Sequence, residues 1–96
     1  MSAPQDVRAL AAAYGIGIAI ADLGDWGTAR LIAEYDPDGP AIRVNARELV
    51  RIDVERAIAH ELYHHREAIG EVPRLRDRDE RERAADAFAA ELLGAP

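Results

Sequence analysis

Two histidines four residues apart, His60 and His64, bracket a glutamate in the run His60-Glu61-Leu62-Tyr63-His64. On a helix these imidazoles stand about 40° apart on one face, one turn above the other. Both can then reach a single cation at about 2.0–2.1 Å, the distance zinc takes from nitrogen. Glu61 projects from the adjacent face, close enough to touch a water at that cation without becoming a ligand. Such a cation acidifies water, and a carboxylate beside it can take the proton. The chemistry is metal-assisted hydrolysis, and HExxH on a helix is a peptidase signature. The plainer reading is a pair of surface histidines with no ligand. It is disfavoured by the apolar neighbours Ala57, Ile58, Ala59 and Leu62 and by the acidic helix expected downstream.

A catalytic zinc takes three protein ligands and keeps a fourth position open. No histidine follows His65, so the third ligand is expected to be a carboxylate on the next helix. Glu82 is the choice. Asp86, one turn further on the same face, is expected to accept a hydrogen bond from the far nitrogen of a ligating histidine and so fix its tautomer. Asp79 lies on nearly the same face but close to the helix start, where capping is its commoner use. Glu80 points the other way. A site of two nitrogens and one oxygen suits Zn2+, with another divalent transition metal as the alternative. His65 lies about 100° past His64 and cannot easily share the cation; it reads as exposed, with a place in the cleft as the lesser alternative. Tyr63 reads as packed, and Trp26 and Tyr35 as structural.

These residues need elements to hold them. Val7, Leu10, Ala11 and Tyr14 recur at helical spacing, which predicts a helix from Pro4 to Tyr14, ended by Gly15. Ile16, Ile18 and Ile20 alternate in a strand running to Leu23. Turn chemistry follows at Gly24-Asp25-Trp26-Gly27, then a second strand from about Ala29 to Tyr35. After the turn Asp36-Pro37-Asp38-Gly39-Pro40, a third strand spans Ala41 to Asn45. From Asp53 to about Ile69 the pattern becomes helical, with Val54, Ala57, Ile58 and Leu62 on one face and the acids Asp53 and Glu55 at the start. A last helix runs from about Asp79 to Leu93 with Ala84, Ala85, Phe88 and Leu92 as its buried stripe. The order of helix, three strands, helix, helix makes a compact α+β domain over residues 1–96.

Composition narrows the function classes. Net charge is −6 and every one of the 12 cationic residues is arginine, which argues against direct nucleic-acid binding. The arginines between Arg74 and Arg83 alternate with acids and read as a solvated helix start. With no cysteine, disulfides and thiolate metal sites are excluded. No apolar run approaches the roughly 18 residues of a bilayer span. The start Met1-Ser2-Ala3-Pro4-Gln5-Asp6 has no signal-peptide pattern, and the expectation is a cytoplasmic protein without a membrane partner.

The chain resembles the ImmA/IrrE family of metallopeptidases over roughly Ala41 to Leu93. Three blocks carry the likeness: Ile42-Arg43-Val44-Asn45, the run Ala57-Ile58-Ala59-His60-Glu61-Leu62-Tyr63-His64-His65, and Glu82-Arg83-Ala84-Ala85-Asp86-Ala87-Phe88-Ala89-Ala90-Glu91-Leu92-Leu93. The resemblance implies a minimal zincin-like half-domain of gluzincin type, in which a three-stranded sheet packs on the active-site helix and the next helix supplies a glutamate ligand. It also implies a protein or peptide substrate, with helix-turn-helix transcriptional repressors of phage and mobile elements as the substrate class. The expected activity is endopeptidase cleavage of a peptide lying extended beside an edge strand Ala41–Asn45, with Arg43, Asn45 and His65 as candidate oxyanion donors. The alternative is a catalytically silent, zinc-stabilised module that regulates by binding a protein.

Overall fold

The computed structural model describes residues 6–94. Helix α1 (Val7–Ala13) opens the described chain and is capped by Asp6, whose carboxylate accepts from the backbone N–H groups of Arg8 and Ala9. Those are donors that a helix start otherwise leaves unsatisfied. Pro4, expected as the first turn, lies outside the described residues. Gly15, at φ 75°, turns the chain out of the helix in a conformation that costs glycine little. The chain then enters β1 (Gly17–Ala21).

Strands β2 (Ala33–Asp36) and β3 (Ala41–Asn45) complete a three-stranded sheet in the order β1-β3-β2. β1 runs parallel to β3, pairing Gly17 with Ala41 through Ala21 with Asn45. β2 runs antiparallel to β3, pairing Ala33 with Val44. The central position of β3 overturns the expectation that Ala41–Asn45 is an edge strand open to a peptide: both its sides are already paired. β1 and β2 are the edges, and β2 is the one packed beside the helix that carries His60 and His64. The second strand is also shorter than its composition suggests. Residues Gly27–Ala29 form a 3-10 turn, and Arg30 adopts φ 44°, so the strand cannot begin at Ala29.

The β1–β2 connection crosses the end of β3, where Asn45 holds it. The amide of this buried residue donates to Gly24 O at 3.1 Å and Leu31 O at 2.8 Å, and its Oδ1 accepts from Leu23 N and Arg47 N. One side chain thus satisfies three backbone groups of the crossing and a fourth, Arg47 N, in the turn that follows β3. A short 3-10 turn, Ala46–Glu48, follows.

Helices α2 (Val54–Ala68) and α3 (Arg78–Leu92) pack against each other, and α2 also covers the sheet. Asp53 caps α2 by accepting from Arg56 N. α3 is capped by Asp77, which accepts from Asp79 N, so the expected capping role of Asp79 belongs to the residue two places earlier. Ile42 and Val44 of β3 meet Ile58, Ala59 and Leu62 of α2 in the core, closed by Val7, Ala11, Ile16 and Ala89. Ala85 and Ala89 are the fully buried residues of α3; with no side chain beyond Cβ, they let its backbone approach α2. Among the described residues no helix is long and apolar enough to cross a membrane.

Candidate metal centre

The face of α2 opposite the core presents His60 and His64 towards α3. Glu82, near the start of α3, reaches both: its Oε2 lies 2.7 Å from His60 Nε2 and its Oε1 lies 3.5 Å from His64 Nε2. One ligand atom from each of the three residues lies within 4.8 Å of the others, and among the described residues no second His/Asp/Glu group converges in this way. Two neutral-nitrogen donors and one carboxylate oxygen fit a divalent transition ion. Asp79 and Glu80 take no part in the cluster.

The far ring nitrogens are also engaged. His60 Nδ1 is 2.7 Å from Asp86 Oδ1, and His64 Nδ1 is 2.7 Å from Glu67 Oε1. An imidazole donating from Nδ1 keeps its Nε2 lone pair free for a cation. In the metal-free protein His60 faces carboxylates on both nitrogens. Burial works to lower its pKa, but the hydrogen bond to Asp86, the charge of Glu61 and the hydrogen bond to Glu82 outweigh it and leave the value raised. A metal must displace that Nε2 proton, so binding strengthens as pH rises.

Glu61 stands apart from these pairs. Among the described residues its carboxylate has no hydrogen-bond or ion-pair partner, and it lines a groove of about 560 Å³ beside the cluster. Burial raises it to about 7, against the pull of His60 and His64. A carboxyl titrating near neutrality suits proton transfer. The groove continues along Leu31, Ile32 and Ala33 at the start of β2, with Ile52, Arg56 and Arg78 on its other walls.

Several expectations are corrected here. His65 is 5% exposed, not a surface residue. Its Nδ1 is hydrogen-bonded to Tyr35 Oη at 2.7 Å, and its ring meets those of Tyr14 and Tyr35 edge-on. Asn45 is committed to the loop crossing, and Arg43 is paired with Glu34 and Asp36. None of the three expected oxyanion donors lines the groove, whose cationic donors are Arg30, Arg56 and Arg78. Tyr63, by contrast, packs as expected, beside Phe88 with ring centroids 5.8 Å apart. Trp26 sits in the turn, 55% exposed, its Nε1 donating to Leu23 O.

Glu67 is the residue that the sequence reading missed. Its signal was its place three residues after His64, where side chains on one helix face meet. Burial raises its pKa, but the bonds from Arg81 and His64 prevail and hold it below the usual carboxylate range.

No curated protein and no solved structure matches the chain. A peptidase family described as the IrrE N-terminal-like domain matches residues 11–93, which include both helices of the cluster and all three strands. The match and the converging donor set lead to the same place: the chain belongs to the IrrE N-terminal-like family of metallopeptidases.

Proposed function

We propose that the protein is a zinc-dependent endopeptidase in which His60, His64 and Glu82 hold the metal and Glu61 is the general base. The observation that carries this reading is the convergence of three ligand atoms within 4.8 Å while the unpaired Glu61 carboxylate faces the adjoining groove. Zinc, when bound, supplies the Lewis acidity that activates water and the peptide carbonyl. The chain's own residues do the rest. The free edge of β2 offers unpaired backbone groups beside the groove, against which a substrate segment lies extended. Glu61 takes the proton of the attacking water on its carboxylate oxygen and delivers it to the departing amine nitrogen. Asp86 and Glu67 hold His60 and His64 with Nδ1 protonated. A divalent cation nearby favours the ionised form of Glu61 and draws its pKa down from the metal-free value. The substrate is a protein segment, with a transcriptional repressor as the partner that the family resemblance suggests.

The test is to incubate the zinc-loaded protein with candidate repressors encoded beside it and look for defined fragments. Wild type is expected to cut, and Glu61→Gln to bind zinc equally but lose cleavage. A Glu61→Gln variant cutting at the wild-type rate overturns the assignment. Zinc binding with no cleavage by either form supports the silent regulatory module.

A further inference from the structure

The two histidines of the cluster are held unequally. Asp86, on the far side of His60, has a side chain 63% exposed, so water competes for that bond. Glu67, on the far side of His64, has a side chain only 2% exposed. Both of its oxygens are used: Oε1 accepts from His64 Nδ1 at 2.7 Å and from Arg81 Nη2 at 3.2 Å, and Oε2 accepts from Arg81 Nε at 3.1 Å. A buried carboxylate needs a charged, hydrogen-bonded partner. Arg81 meets that need from the other helix, and it directly precedes Glu82 in the chain.

We infer that Glu67 and Arg81 form a positioning clamp that sets the metal affinity of the site, although Arg81 touches none of the three converging ligand atoms. The inference rests on the reading of His60, His64 and Glu82 as metal ligands. The clamp does two things at once. Ionised Glu67 holds the His64 proton on Nδ1, which leaves Nε2 as the donor to a cation. The two-pronged Arg81–Glu67 contact ties the first turn of α3 to the last turns of α2, and so fixes the position from which Glu82 reaches the imidazoles. The rigid planar fork of arginine gives that contact directionality, which a lysine lacks. The His64 side is therefore organised before metal arrives, and the more exposed His60–Asp86 side is completed by it.

The experiment is zinc affinity of the full chain, measured by competition with a chromophoric chelator for wild type, Arg81→Met, Arg81→Lys, Glu67→Gln and the Glu67→Gln/Arg81→Met double variant. Arg81→Met is expected to weaken zinc binding about 10-fold or more, within the range for residues that orient ligands from behind. Arg81→Lys is expected to recover part of the loss. Glu67→Gln also weakens binding, and adding Arg81→Met to it costs little more, because Arg81 acts through Glu67. Additive losses, or wild-type affinity in Arg81→Met, overturn the inference. Should Arg81→Met fail to fold, wild-type affinity in Glu67→Gln overturns it equally. The absorption spectrum of the Co2+-substituted protein gives a second readout, expected to change in Arg81→Met through altered ligand geometry. If wild type itself takes up no zinc, the metal-centre reading falls, and this inference with it.

Discussion

His60 Nδ1 donates across the α2–α3 interface to Asp86 Oδ1 at 2.7 Å, a carboxylate that is mostly in water. This bond orients the ring without anchoring the fold. Asp86→Asn keeps an acceptor but loses the charge, and zinc affinity is expected to fall by about 10-fold. The metal-free protein should melt within about 0.5 kcal/mol of wild type, as expected for an exposed position. Chelator competition and thermal melts check the two halves of this prediction.

The metal-free protein should become less stable as pH rises through neutrality. Glu61 titrates at about 7 in the folded chain, above its usual 4.5. For an acid raised in this way the folded state binds the proton more tightly, so its stabilising effect is complete below 4.5 and lost as pH climbs to about 7. His60, also raised, likewise contributes stability that is lost as pH passes its folded value. The Glu61 contribution is on the order of 3 kcal/mol across that window. Denaturant melts in chelator at about pH 5.5 and pH 8 should show about 2 kcal/mol of that fall, the remainder lying below pH 5.5, and Glu61→Gln should remove most of it.

Zinc should stabilise the fold in proportion to occupancy, because the unfolded chain has no preassembled site. Free zinc at about 100 times the dissociation constant adds roughly 2.7 kcal/mol. For a chain of 96 residues that amounts to a rise in Tm of about 10 °C or more. A chelator should reverse the shift, and a His60→Ala/His64→Ala double variant should show none.

His65 should behave as a structural residue. Replacing it by alanine leaves the Tyr35 hydroxyl without its partner and opens space between two tyrosine rings, a loss of about 2 kcal/mol or more. Zinc stoichiometry should stay at the wild-type value, while Tyr35→Phe costs about 1 kcal/mol. Denaturant titration with metal analysis measures both, and a lost zinc with an unchanged midpoint would refute the assignment.

The helical part of the site was legible because helix periodicity is local. The spacing of His60 and His64, and of Glu82 and Asp86, is a statement about one face of one helix, and α2 and α3 fall within a residue or so of their expected bounds. Strand order was not legible. Alternation along Ala41–Asn45 says which side chains face the core, not which strands flank it, and the crossing of the β1–β2 connection over β3 depends on contacts distant in sequence. The burial of His65 is not written in α2, because it comes from tyrosines at the C-cap of α1 and on β2. Glu67 carries no sign of its role in the sequence beyond its spacing from His64, because its burial and pairing depend on Arg81 of the next helix being brought against it.

Asn45 lies away from the cation cluster, yet the shape of the groove depends on it. The segment Arg30–Ala33 that walls the groove hangs between a 3-10 turn and a short strand, and the Asn45 side chain fastens it at Leu31 while the Asn45 backbone N–H fastens it at Ile32. Arg30 adds a second fastening at the near end of the segment, ion-paired with the buried Glu48 at 2.6 Å. Loosening the Asn45 hold would shift this wall while the histidines of α2 stayed in register, so on the proposed reading what the groove admits is set in part away from the residues that do the chemistry.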